Sequence, residues 1–173
     1  LINAGDNPYT KVEFIFSRDR IVYIDVRRFG FILTGQNATD ALPAGIDALA
    51  ENLAAAAGKI QRSRSPIKNV LLDQKILSGI GNIYASEILF SAGINPTRMA
   101  SGLDAGELKR ILAATRKVLL KAVAAKGSSI SDFVYALPGE DKFSTGYYQK
   151  QFLVYAREGE KCRRCSATVK KIV

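Results

Sequence analysis

Histidine does not occur in this sequence. That absence removes Ser-His-Asp hydrolases, Cys-His proteases and H-E-x-x-H metal sites, so any catalysis here rests on amines, carboxylates or hydroxyls. Cysteine is scarce: two residues cannot build a disulfide framework, which fits a reducing compartment. No apolar run approaches the length that spans a bilayer. The opening residues, Leu-Ile-Asn-Ala-Gly-Asp-Asn-Pro, lead into no apolar core of a signal peptide. An initiating methionine is missing too. The chain starts on Leu1 and ends on Val173 in an apparent strand, which reads as an internal piece of a longer protein.

What is present is globular and basic. A chain of 173 residues with 47% hydrophobic content is enough for one sizeable domain or two small ones. Lys and Arg number 25 against 16 Asp and Glu, a net charge of +9. Such a surplus suggests a polyanionic partner, nucleic acid foremost, held with strong salt dependence. A merely basic soluble protein is the plainer alternative.

The chain is organised around residues 65–98, which read as two helices joined by a short turn. Ser65 suits an N-cap and Pro66 the first helical position. Val70, Leu71, Gln74, Ile76 and Leu77 follow with near-helical spacing. Ser78-Gly79-Ile80-Gly81 stops the first helix, Asn82 can cap the second, and Gly93 and Pro96 end it. Gly79 and Gly81 permit positive φ and close approach of the backbone. Free amides at the start of the second helix, with its dipole behind them, make an anion site, and phosphate is the natural guest. Lys68, Lys75 and Arg98 flank it. An ordinary helical hairpin with a tight turn is the alternative.

Upstream, Lys11–Phe16 alternates, with Val12, Phe14 and Phe16 on one face. With Ile21–Asp25 it forms a hairpin. Phe31-Ile32-Leu33 reads as a third strand, and the Phe14, Phe16 and Phe31 face needs a further β-layer to be buried. Between strands lies Arg27-Arg28-Phe29-Gly30. Phe29 is either core, with solvated arginines, or a wedge between base pairs. Residues 34–43 hold Gly, Asn, Thr, Asp and Pro and read as a linker. A helix is expected over 44–60. Lys59, Arg62, Arg64 and Lys68 then form a basic run, either a solvated loop or part of the same interface. Asp104 and Glu107 resemble a capping box opening a long helix to about Ala125. Its buried stripe is Leu108, Ile111, Leu112, Thr115, Val118, Leu119 and Ala122. Ser128 and Ser129 follow, able to hold a phosphate or only to shape a turn. At the tail, Cys162-x-x-Cys165 is half of a four-thiolate zinc site or a redox pair, and no strand–helix context supports the latter.

Three of these stretches share a resemblance. Leu71-Leu72-Asp73-Gln74, then Ser78-Gly79-Ile80-Gly81-Asn82-Ile83-Tyr84-Ala85-Ser86-Glu87-Ile88-Leu89-Phe90, then Ile94-Asn95-Pro96, closely resemble the helix–two-turn–helix segment of the formamidopyrimidine-DNA glycosylase family. Asp25-Val26-Arg27-Arg28-Phe29-Gly30 resembles that family's Asp-Pro-Arg-Arg-Phe-Gly signature, with Val26 replacing Pro. The cysteine pair resembles the first half of its zinc finger.

The resemblance implies an α+β fold. Residues 1–35 would be the end of a β-sandwich N-terminal domain and 36–43 the linker. Residues 44–135 would be the helix–two-turn–helix domain, 136–156 the lesion-loop region and a strand, and 157–173 an incomplete zinc β-hairpin with a frayed tail. It implies a base-excision repair glycosylase and abasic-site lyase that removes oxidised purines and nicks the strand by β,δ-elimination. Its partner would be damaged double-stranded DNA. A cytoplasmic, bacterial monomer with one zinc ion per complete protein and no membrane contact is expected.

By the same match Arg27 would contact the orphaned base and Phe29 fill the stack. Tyr9, Arg64, Lys68, Gly79, Gly81, Asn82, Ser128 and Ser129 would bind DNA, and Cys162 and Cys165 would be zinc ligands. The family's catalytic N-terminal Pro, adjacent Glu and assisting Lys have no counterpart here, since Leu1 is not Pro. No catalytic residue is therefore expected in this chain. Three alternatives stay open: a non-catalytic nucleic-acid-binding module, a redox or scaffold protein using the cysteine pair, and an endonuclease VIII-like pyrimidine-lesion glycosylase.

Overall fold

Period-two alternation at the start of the chain gives the expected hairpin. Strand β1 (Thr10–Ile15) pairs antiparallel with β2 (Arg20–Ile24), with an irregularity between Thr10 and Val12. The structure is a computed structural model that describes residues 7–25, 28, 30, 32, 45–128 and 146–172. The expected third strand, the linker at 36–43, Arg27, Phe29, Ser129 and most of the 135–146 loop therefore lie outside the described residues. Within the hairpin only Val22 is buried, while Phe14 and Phe16 are 40% and 56% exposed. Apolar residues at alternating positions are thus present without a layer of the described structure to cover them.

The helix expected over 44–60 is not formed. Ile46–Asp47 is instead a short strand, β3, paired in parallel with β4 (Leu77–Ser78). A 3-10 turn over Leu53–Ala56 then runs into α1 (Ala57–Arg62). Gly45 explains the strand: its amide donates to the Gln74 carbonyl, and a Cβ on it would collide with that same oxygen. Close backbone approach here overrides the helix propensity of the alanines.

Helix α2 spans Ile67–Leu72 and α3 spans Asn82–Ala92. The first is shorter than expected, ending at Leu72 rather than near Leu77, because residues 77–78 are drawn into the β3–β4 pairing. Pro66, not Ser65, is its N-cap, with no side-chain bond. Its leading amides are satisfied by tertiary carbonyls instead: Ile67 donates to Arg98 at 2.8 Å and Lys68 to Pro96 at 3.2 Å. Gly93 ends α3 in the left-handed conformation, as its position promised.

Helix α4 runs Ala105–Ala124, opened by the full Asp104–Glu107 capping box. Its buried positions match the expected stripe, with Glu107 and Ala114 added and Leu112 only partly buried. This face packs on α3. The described core extends from Ala48 to Phe152 and is built mainly from α2, α3 and α4. Residues 152–155, inside the 136–156 region where a strand was expected, follow a 3-10 turn at Tyr148–Gln151 as irregular chain. Tyr148 and Phe152 still enter the core, linked edge-to-face at 5.9 Å.

Two measurements check this packing. Asp104→Ala should lower unfolding free energy by about 1 kcal/mol through the lost cap. Ile88→Ala, at a fully buried position, should cost about 3 kcal/mol; urea denaturation followed by circular dichroism reads both. The Tyr148 hydroxyl is pushed up to about 12 by burial, then by the charge on Glu87 and by Tyr84. Its folded pKa exceeds its unfolded one, so its contribution is complete below about pH 10 and is lost as pH rises through 12. Alkaline titration followed by tyrosinate absorbance should therefore show one late tyrosine that Tyr148→Phe removes.

Candidate nucleic-acid interface

One side chain closes the turn between α2 and α3. The Gln74 amide donates to the Leu72 carbonyl at 3.1 Å and to the Ile80 carbonyl at 2.9 Å, while its Oε1 accepts from the Gly79 amide at 2.9 Å. Asp73 Oδ1 accepts from the Lys75 amide at 2.9 Å and fixes the entry. Within this frame the two glycines differ. Gly79 has φ +90°, a conformation that favours glycine. Gly81 has φ −103° and ψ 178°, extended backbone open to any residue. Both glycines permit positive φ, and only Gly79 adopts it. A Cβ built on Gly81 meets nothing within 4 Å. Neither conformation nor packing within the described structure calls for glycine at 81, and its backbone lies open on the surface.

Directly behind it starts α3. The expected cap, Asn82, is the first helical residue, and Gly81 is the N-cap with no side-chain bond. The helices differ in how they satisfy their leading amides. Helix α1 continues a 3-10 turn, α2 uses tertiary carbonyls, and α4 uses its capping box. For Asn82, Ile83 and Tyr84 no acceptor is found among the described residues. These amides, with the positive end of the helix dipole, face an exposed surface at Gly81 and Asn82.

Several cations precede this helix in sequence. Arg64 is exposed before α2, Lys68 is half-buried on it, and Lys59, Arg62 and Lys75 are exposed. None of the five forms an ion pair among the described residues. Arg98 does not join them. Its guanidinium is held by Glu107 and donates to the Gly102 carbonyl at 2.8 Å, so it braces α4 instead.

Ser128 is brought to the same helix by a bond that spacing does not reveal. Its hydroxyl lies 3.1 Å from that of Tyr84, in the first turn of α3. The Ser128–Tyr147 bridge closes the two ends of the intervening segment. Tyr9 lies apart on the hairpin, 47% exposed, its carbonyl accepting from the Asp25 amide at 3.1 Å. Asp25 in turn accepts from the amides of Arg28 at 2.8 Å and Gly30 at 2.7 Å. A Cβ on Gly30 would strike the Tyr23 hydroxyl, so a side chain there needs the tyrosine ring to turn aside.

The cysteines sit on an ordered hairpin rather than a frayed end. Lys161 pairs with Thr168, the Cys162 amide donates to Ala167, and the Ser166 amide returns to Cys162. Cys162 is buried and Cys165 exposed. The amides of Arg164 and Cys165, bonding the sulfur, hold the Cys162 thiol below its ordinary range, with smaller help from Cys165 and Arg157 against the cost of burial. A thiol with a lowered pKa and N–H donors on its sulfur suits a metal ligand. Among the described residues no third Cys, His, Asp or Glu joins the pair, so the donors present fit two positions of a tetrahedral thiolate site.

Sequence reasoning passed over Gln74 as a clamp, Tyr84, Glu87 and Arg164. For Glu87 a signal exists: it is the lone charge on an otherwise uncharged, largely apolar helix. Such a carboxylate must find partners inside.

An uncapped helix behind a glycine turn, coupled to a cysteine knuckle, defines a helix–two-turn–helix protein. Residues 44–134 match the formamidopyrimidine-DNA glycosylase H2TH domain. The chain is 38% identical over 162 residues to the formamidopyrimidine-DNA glycosylase of Rickettsia africae, covering 89% of this chain and 57% of the relative. It is 39% identical over 166 residues to that of Brucella ovis, covering 89% and 55%. Among solved structures it resembles the MutM (Fpg) protein of Thermus thermophilus, with TM-score 0.85 and 32% identity over 99% of this chain and 66% of that one. It also resembles Lactococcus lactis Fpg in complex with DNA containing an abasic site, with TM-score 0.79 and 32% identity over 98% and 63%. The chain belongs to the formamidopyrimidine-DNA glycosylase H2TH family. It spans a little over half the length of these curated relatives.

The two glycines should separate in a thermal scan. Gly79→Ala should cost about 1–2 kcal/mol because of its backbone conformation. Gly81→Ala should be neutral or stabilise by about 0.5 kcal/mol through the unfolded chain. Equal destabilisation would show that Gly81 is needed by the fold itself.

Proposed function

We propose that this chain is the DNA-gripping part of a base-excision repair glycosylase and abasic-site lyase acting on oxidised purines such as 8-oxoguanine and formamidopyrimidines. The observation that carries the reading is the open α3 N-terminus at Gly81–Asn82, with three amides uncapped among the described residues and a glycine that the described fold does not need. A phosphate oxygen fits it: the amides donate, the dipole adds attraction, and the missing side chain allows close approach. Arg64 and Lys68 add charge to the same duplex contact. Arg27 and Phe29 enter the stack at the lesion, as the family's Arg-Arg-Phe-Gly signature implies, and Tyr9, Ser128 and Ser129 complete the DNA contacts. No catalytic residue is assigned to this chain.

Residues 44–135 are proposed as the helix–two-turn–helix domain, 1–35 as the end of the β-rich domain, 136–156 as the lesion-loop region and 157–173 as the first half of the zinc finger. Cys162 and Cys165 would hold zinc with two further thiolates. Bound there, the metal supplies structural cross-linking of the hairpin. The lesion-bearing duplexes in the Lactococcus lactis complexes support damaged DNA as partner. We further assign a monomeric, cytoplasmic bacterial protein. Among the described residues no helix is long and apolar enough to cross a membrane.

The test is binding to an intact duplex and to one with a central stable abasic-site analogue, across a salt series. Tighter binding to the abasic duplex is expected. Arg27→Ala and Phe29→Ala should abolish the preference. Gly81→Ala should weaken both complexes by roughly tenfold, about 1.4 kcal/mol, while leaving stability intact. Equal affinity for the two duplexes would reduce the function to general DNA binding, and no binding would overturn it.

A further inference from the structure

We propose that Glu87 is a positioning residue that fixes the Cys162–Cys165 hairpin relative to the α3 N-terminus, so that the two engage one DNA backbone at a set spacing. The inference rests on the DNA-binding reading above. Glu87 is 1% exposed, yet no Lys or Arg pairs with it among the described residues. Among the described residues its charge is met by backbone amides alone. Oε2 accepts from Leu153 at 2.9 Å, and Oε1 accepts from Val154 and Tyr155, both at 2.9 Å. A buried carboxylate is a costly way to gain stability, since an apolar side chain of similar volume often does as well. What it gives here is direction: three amides converging on one carboxylate fix the path of residues 153–155.

That segment leads straight to the hairpin. Arg157 donates to the Leu153 carbonyl at 2.9 Å and the Lys161 carbonyl at 3.0 Å, clasping the turn of Glu87 to the first hairpin strand. A second attachment lies one turn further along α3. Arg164 donates to the Phe90 and Ser91 carbonyls and lies 4.8 Å over the Phe90 ring. A single attachment would leave the hairpin free to pivot. Two on one rigid helix define its orientation. Asn82 and Glu87 are five residues apart on that helix, about 7.5 Å along its axis. The separation between the anion-binding amides and the exposed hairpin cations Arg163, Lys170 and Lys171 is thus set by α3.

The test uses Glu87→Gln, which keeps the volume but turns an acceptor into a donor facing amides. Residual dipolar couplings should fit one alignment for α3 and the hairpin in the native chain and two separate alignments in the variant. A single shared alignment in E87Q would overturn the proposal. Arg164→Ala, which removes the second attachment, gives the same readout if E87Q fails to fold. Duplex affinity adds a signature that simple destabilisation lacks. E87Q should reduce the salt slope by about one unit for each phosphate that is no longer neutralised. It should have no further effect in a chain already carrying Arg163→Ala, Lys170→Ala and Lys171→Ala. Additive losses would overturn positioning through these cations. If the native chain binds no duplex at all, the DNA-binding reading falls, while the dipolar couplings still decide the role of Glu87.

Discussion

Burial of α3 is the constraint on which the rest depends. Core residues enclose it on more than one side, and α2 and α4 both pack against it. A polar group on such a helix has little water to turn to, so it must bond inside or reach the one exposed end. The Glu87 carboxylate turns to three amides, and the C-terminal carbonyls are taken by Arg110, Arg164 and the backbone beyond Gly93. Only the leading amides, behind an exposed glycine, are left without a partner among the described residues. The candidate binding site is where the demand for internal satisfaction stops.

The cations divide along the same line. Arg98, Arg110, Arg157 and Arg164 spend their planar, multi-donor guanidinium groups on carbonyls and carboxylates of the fold. Among the described residues Lys59, Arg62, Arg64, Lys68 and Lys75 have no such duty, and they cluster in sequence ahead of the open helix end. A count of positive charge does not distinguish the two groups. The hydrogen bonds do, and they reassign Arg98 from the interface to the frame.

Much of the local chemistry was legible in the order of residues. The alternation of Lys11–Phe16, the Asp104–Glu107 box, the stripe on α4 and the Gly93 stop are short-range matters of period and cap, and they appear as read. Repeated matches in a fixed order pointed to the family, because three separate motifs rarely coincide. The 44–60 helix and the C-terminal half of the α2 reading failed for one shared reason. The pairing of Ile46–Asp47 with Leu77–Ser78 joins residues far apart in the chain, and local propensity carries no record of it.

At the site the division follows the same physics. Composition and motif alone determined a basic, histidine-free chain with a glycine turn before a helix and a thiolate pair near its end. Only the tertiary structure decided which glycine bends the chain and which merely leaves space. It alone showed Gln74 clamping the turn, Tyr84 reaching Ser128, and Glu87 holding a segment 66 to 68 residues away. Hydrogen-bond partners that distant are chosen by how helices pack, and packing is a property of the whole core rather than of any stretch within it.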